Sequence, residues 1–207
     1  MNDDDMARLE TRLRNLPERE AIVFMAALTE RLLHNYRLFH EVSGGGDRRR
    51  VDSAMALVWE ALLVPAARID FTLQGEKLAA IEAGLDDQLA ESDVSFGAQM
   101  ARDATLALST CLEALAGQRP EGALELSRLS RHGVERFIEL SEGEEIEDEE
   151  GLSALIDAHP LMADERDFQQ EVLERLEAPL DAPALRALKR LGRNEGVSNI
   201  GLSLDDE

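Results

Sequence analysis

The sequence predicts an all-α fold, a single-domain bundle of about eight helices followed by an extended C-terminal tail. Three observations lead there. Leucine occurs 33 times against 21 for valine, isoleucine and threonine together, and unbranched side chains lose little rotamer freedom in a helix. Apolar residues recur at three- and four-residue steps. Proline and glycine punctuate the chain between these stretches, and no alternating strand pattern, fixed-period repeat or long linker interrupts them.

Met6, Leu9, Leu13 and Leu16 form the first apolar stripe. Pro17 ends it and suits the first turn of a second helix, where its missing N–H costs nothing. That helix is expected over about 17–42, with Phe24, Met25, Leu28, Leu32, Phe39 and Val42 on one face and Ser43-Gly44-Gly45-Gly46 as its stop. Asp47 caps a third helix carrying Val51, Met55, Val58, Trp59 and Leu62, and Pro65 marks its end. Thr72 is the expected cap of a fourth, running through Leu73, Leu78 and Ile81 to about Gly84. Ser92 or Asp93 caps a long fifth helix with Phe96, Met100, Ala104, Leu108, Cys111, Leu112 and Leu115 inward, closed by Gly117.

Pro120 opens a sixth helix holding Leu124, Leu126, Leu129, Val134, Phe137, Ile138 and Leu140. Seven of the nine residues over 142–150 are carboxylates. Like charges so close repel, which predicts an exposed acidic loop over about 141–151 and a short helix after it, near 152–158. Pro160 starts a penultimate helix with Phe168, Val172 and Leu176 inward. Pro179 breaks the chain, Asp181 and Pro183 start a last helix through Leu185, Leu188 and Leu191, and Asn194 and Gly196 stop it. In the tail, about 197–207, Ile200, Leu202 and Leu204 alternate with Gly201 and Ser203, a pattern that suits an extended segment docked in a groove of this chain or of a second copy.

Composition narrows the function. Asp and Glu total 43 against 22 Lys and Arg, a formal net charge of -21. Such a surface opposes nucleic-acid binding, which needs cations to displace counterions, and docking on anionic lipid. The longest apolar run spans only 21–28, and the start, Met1-Asn-Asp-Asp-Asp, lacks the basic and apolar regions of a signal peptide, so a soluble cytoplasmic protein is expected. Hydrophobic residues make up 44%, too many for a disordered chain. The lone cysteine, Cys111, can make neither an internal disulfide nor a thiolate cluster.

A search for chemistry returns little. Arg31, Arg37, Leu129 and Ile156 stand three residues before the four histidines, so the Glu-x-x-His motif of carboxylate-bridged metal bundles is absent. Glu30 and His34, four apart, read as a solvated helix-surface pair, as do His132 and Glu135, while His159 reads as a loop residue. Gly196-Val-Ser-Asn-Ile-Gly201 is one residue too long for a nucleophile elbow and follows no strand. Cys111 falls on an inward face, where a thiol behaves as a small hydrophobe. Ser43-Gly-Gly-Gly-Asp-Arg-Arg-Arg50 could hold an anion at a helix start, yet it reads better as a linker whose arginines pair with the chain's own carboxylates. No catalytic residue, metal or cofactor is expected.

Asn35 is the most informative polar residue. The helical wheel places it within about 20° of Phe24, inside the apolar arc, and a buried amide without partners costs about 1–3 kcal/mol. It either ties its helix to a neighbour or lines a small pocket with Tyr36, Trp59 and Glu60.

Several segments together carry a family resemblance. Phe24-Met-Ala-Ala-Leu-Thr-Glu-Arg31 with Asn35-Tyr36 and Phe39, Val58-Trp-Glu60 with Leu62, Phe71 with Gln74-x-Glu76-Lys77, and the ending Ser198-Asn-Ile-Gly201 resemble the bacterial YjaG family over nearly the whole chain. The resemblance implies an all-helical fold and brings no assigned activity or cofactor. The leading expectation is therefore a non-enzymatic protein that acts through protein–protein contacts, with a protein partner or as a homodimer, using Ser198, Asn199 and Ile200 of the tail. Two alternatives accompany it: an enzyme or small-ligand binder with a pocket at Asn35, Tyr36, Trp59 and Glu60, and an acidic nucleic-acid mimic that occupies a basic protein.

Overall fold

Local capping chemistry and one unusually apolar stretch organise this chain. The computed structural model describes residues 3–91, 95–118, 121–143, 146 and 148–204. Among these, nine helices form one helical domain: α1 (Asp3–Arg14), α2 (Glu18–Ser43), α3 (Arg48–Leu63), α4 (Phe71–Glu91), α5 (Phe96–Leu115), α6 (Gly122–Glu142), α7 (Glu149–Ala158), α8 (Pro160–Arg175) and α9 (Ala182–Arg193). No strand occurs among the described residues. None of their helices is long and apolar enough to cross a membrane.

The chain is built around α2. Every residue from Ala21 to Leu33 is buried, the pattern of a helix covered on all sides. At 1.5 Å per residue its 26 residues span about 39 Å, and α3, α5, α6, α8 and α9 pack around it. Leu78, Ile81 and Leu85 of α4 join the same core, with α4 laid along α5. A smaller second core gathers Met100, Val134, Ile138, Met162 and Ile200.

Two of the expected capping side chains stand at the helix starts they were assigned. The Asp47 carboxylate accepts the Arg50 N–H at 3.0 Å and Asp181 accepts the Ala184 N–H at 2.8 Å. Gly44, at φ 69°, ends α2, and Asn194, at φ 42°, ends α9, both in the left-handed region. Four boundaries differ. The cap of α4 is Asp70, which accepts the Leu73 N–H at 2.9 Å, and Thr72 lies inside the helix. That helix continues through Gly84 to Glu91, because the apolar stripe packed on α5 outweighs the roughly 1 kcal/mol helix penalty of one glycine. Ser95 caps α5 by accepting the Ala98 N–H; the expected caps Ser92 and Asp93, like Pro120, lie outside the described residues. Finally, α7 begins at Glu149, capped by Asp148, so the acidic run partly enters a helix, while its residues 144, 145 and 147 lie outside the described set.

Two face assignments also differ. Val42 is 88% exposed and Leu140 57% exposed, each in the last turn of its helix beyond the neighbours that cover the earlier turns. The tail is non-helical after a single 3-10 turn at Asn194–Gly196. It closes a tight turn, with the Ser198 N–H donating to Leu202 O at 2.8 Å and the Gly201 N–H to Ser198 O at 3.1 Å. This turn interrupts the period-two register: Ile200 is buried, while Leu202 and Leu204 face solvent.

Candidate functional site

Because α2 is enclosed, each of its polar side chains must find partners inside the protein or destabilise it. Thr29, Glu30, Arg31 and Asn35 are all buried. Arg31 and Asn35, together with α6, α8 and the tail, build a polar junction in the interior.

Asn35 Nδ2 donates to Asn199 Oδ1 at 2.8 Å, and Asn199 Nδ2 donates to Ser130 O at 3.1 Å and to Ser130 Oγ at 3.3 Å. One asparagine of the tail thus bridges α2 and α6. The turn that holds it is self-supporting: Ser198 Oγ accepts the Ile200 and Leu202 N–H groups, and Ile200 anchors in the second core. One layer further, Gln169 Nε2 donates to Glu165 Oε1 at 2.7 Å and to Ser127 O at 3.3 Å, while Ser127 Oγ donates to Gln169 Oε1 at 2.7 Å. Arg31 lies over the Phe168 ring, 4.5 Å from its centroid, pairs with Asp164, and brings its Nε to 4.0 Å from Glu165 Oε2. Glu165 is wholly buried, and burial pushes its carboxyl up despite the opposing charge of Arg31.

A second cluster lies where α9 crosses α2 and α3. Glu30 is buried, with Arg193 Nε 3.7 Å away and Lys189 and Trp59 beside it; burial pushes its carboxyl up, against the pull of Arg193. The Lys189 ammonium sits 5.7 Å from the Trp59 ring centroid, and burial pushes its pKa down. His34 Nε2 contacts Arg193 O at 2.8 Å. Burial and the neighbouring Arg37 guanidinium push His34 down to about 4.

His34 therefore stays neutral in the folded protein at pH values where the unfolded chain, titrating near 6.5, already binds a proton. The stability it contributes is fully present above about 6.5 and is lost as pH falls through about 4. Urea unfolding of the wild type and of His34→Gln between pH 7 and pH 4 should show the wild type losing more stability on acidification. Equal losses would mean that His34 is not held neutral by the fold.

The four residues offered as an alternative pocket face different surroundings. Asn35 reaches the tail, whereas the Tyr36 hydroxyl accepts the Asp47 N–H at 2.9 Å, since consecutive helical residues point about 100° apart. Trp59 packs toward α9, and Glu60 is exposed on the other side of α3. Clefts do occur elsewhere: one of about 480 Å³ lies among Leu16, Ile22, Met25 and Gly117. A smaller one, about 240 Å³, sits beside Asp47 and Arg50 at the start of α3. None of the seven candidate residues lines either cleft. The nucleic-acid-mimic reading is not favoured either. Exposed Glu41, Asp86, Asp157, Asp164 and Glu177 lie on separate elements, and each faces an arginine of this chain.

Other sequence readings find their places. Arg48 faces Glu41 and Asp52 and Arg50 faces Asp47, so two arginines of the glycine-led loop do pair with the chain's own carboxylates. Glu30 and His34 are not a solvated pair: the acid is buried and the imidazole turns to α9. His132 and Glu135 do meet at the surface, at 2.6 Å. His159 is more than a loop residue, since its Nδ1 accepts the Leu161 N–H and caps α8. Cys111 is buried against Thr29, and burial pushes its thiol up to about 12, so it is inert at neutral pH. Among the described residues, no group of three His, Cys, Asp or Glu side chains converges as a metal would require.

Sequence reasoning missed Arg31, Ser127, Ser130, Glu165 and Gln169. The signal for the α8 pair was available. Met162, Glu165, Gln169 and Val172 repeat at three- and four-residue steps, placing two polar side chains within an apolar stripe.

Similar proteins share this architecture. The chain is 32% identical over 197 residues to the "Uncharacterized protein YjaG" of Escherichia coli (strain K12), covering 94% of this chain and 95% of that protein. It is 33% identical over 198 residues to an "Uncharacterized protein" of Haemophilus influenzae, covering 94% and 96%. The crystal structure of a DUF416 family protein from Shewanella baltica OS155 superposes with a TM-score of 0.83 at 30% identity, covering 94% of this chain and 98% of that one. With the family described as "Protein of unknown function (DUF416)" matching residues 8–203, this chain belongs to the DUF416 family.

Proposed function

We propose that the protein is a non-enzymatic cytoplasmic helical module that acts through protein–protein contacts and self-associates as a homodimer through its tail. The observation that carries this reading is the anchored turn at Ser198–Leu202. Ser198, Asn199 and Ile200 are buried, and the same turn holds Leu202 and Leu204 at the surface, 42% and 41% exposed. Leucines fixed by a rigid anchor lose little conformational entropy on docking, which favours association. The interior polar groups support the same reading, because hydrogen bonds that hold Asn35, Asn199 and Ser130 together position the tail rather than face a substrate.

Light scattering on size-separated protein tests it. The wild type should run as a dimer, and Leu202→Ser with Leu204→Ser should return it to a monomer with its helical circular dichroism unchanged. A wild type that stays monomeric at every concentration overturns the reading.

A further inference from the structure

The charge on α9 runs against the rest of the chain. Its sequence, Ala182–Arg193, carries Arg186, Lys189, Arg190 and Arg193 and no carboxylate, in a protein of net charge -21. On the helical wheel the four cations fall within an arc of about 100° and extend over about 10 Å, opposite and beside the buried stripe of Leu185, Leu188 and Gly192. Arginines elsewhere mostly reach a carboxylate, as on α1, α2, α3, α5, α6 and α8. Arg186 and Arg190 are exposed and meet no carboxylate among the described residues. Arg193 is 57% exposed, and its one acidic neighbour, Glu30, is buried beneath it. Along the sequence the nearest carboxylates stand at the ends of the strip, with Asp181 spent on the cap and Glu195 following the last turn.

We infer that this face of α9 is a docking strip for an acidic helical segment of a partner protein, one that presents carboxylates at i, i+3, i+4 and i+7. It goes beyond the self-association reading, since the partner is a different chain. Three features on the strip select that partner. Guanidinium groups fork onto carboxylates with two parallel bonds, so three arginines at helical spacing match acids at the same spacing. The short strip suits a segment whose charge ends where the strip ends. A nucleic acid would carry its charge onward over a surface of net charge -21, where repulsion opposes it. The backbone beneath the strip is also rigid, because Gly192 seats α9 directly on the α2 backbone, so that only the side chains are ordered on binding.

The test is fluorescence anisotropy of the full chain with a labelled synthetic alanine-based helical peptide bearing glutamates at i, i+3, i+4 and i+7. Binding should weaken as salt rises and fall by about tenfold in Arg186→Glu/Arg190→Glu. Arg49→Glu, a charge reversal on exposed α3 surface, should leave it within about twofold. A peptide of the same composition with its glutamates moved off helical spacing should bind several-fold more weakly. Binding that ignores Arg186→Glu/Arg190→Glu or the glutamate spacing, or a short DNA duplex that competes better at the strip, overturns the inference. Light scattering separates the two ideas: a wild type that is a dimer yet fails to bind the peptide leaves self-association standing and overturns the docking strip alone, whereas a monomer that binds the peptide does the reverse.

Discussion

Gly192→Ala is expected to lower unfolding stability by about 2 kcal/mol, although alanine is the better helix former by about 1 kcal/mol. A Cβ at residue 192 would press on the Ala27 carbonyl oxygen and come within 3.1 Å of both the Ala27 carbonyl carbon and the Glu30 Cβ. Those atoms belong to the backbone and first side-chain carbon of α2, which is packed on every side and cannot retreat. The helix crossing must therefore open, loosening Leu185 and Leu188 from the core. Gly84→Ala and Gly75→Ala provide the contrast. Both lie within α4 with nothing inside 4 Å of the added carbon, so each should gain about 0.5–1 kcal/mol. Urea melts of the three variants read this directly. A Gly192→Ala protein as stable as the wild type would mean that α9 does not sit against the α2 backbone.

Glu165→Ala should cost about 3 kcal/mol, the largest effect expected from any polar substitution in the chain. The alanine strips Gln169 Nε2 of its closest acceptor, leaves a void in a fully buried site and removes the carboxyl group facing Arg31. Glu165→Gln keeps the acceptor and the volume, so its cost should stay near 1 kcal/mol. The acidity makes the pair diagnostic. The folded carboxyl titrates above the unfolded one, so the folded state holds an extra proton between the two values. Stability from this group is fully present below the unfolded pKa and is lost as pH rises through the folded pKa. Glutamine does not titrate, so the deficit of Glu165→Gln should shrink on going from pH 5 to pH 8. A deficit that grows over that range would mean that Glu165 is stabilised as a carboxylate by Arg31.

How much of this could be read in advance depends on the range of each interaction. Asp47 and Asp181 were legible as caps because a carboxylate reaching an N–H three residues on is wholly local chemistry. The cap of α4 is Asp70 rather than the expected Thr72, because both residue types can cap and local sequence does not show which of them the preceding loop brings to the helix start. The burial of α2 was visible in its apolar run, whereas Val42 was misplaced because a wheel extends a stripe past the last neighbour that covers it. For the polar junction, Asn35 stands out through its place in the apolar arc, whereas Asn199 is marked only as part of the tail. Their pairing spans 164 residues, and no periodicity reports such a contact. Glu165 and Gln169 are legible in the sequence as two polar positions inside the apolar stripe of α8, although their partners on α2 and α6 are not.

The bridge from Asn35 to Asn199 also has a consequence for how the chain is made. At about 5–20 residues per second, the ribosome takes roughly 10–30 s to synthesise the 164 positions between them. Throughout that interval the amide on the central helix lacks its partner, so any nascent chain that stops short of residue 199 carries an unfinished interior. The native interior can therefore be completed only after residue 199 has been made.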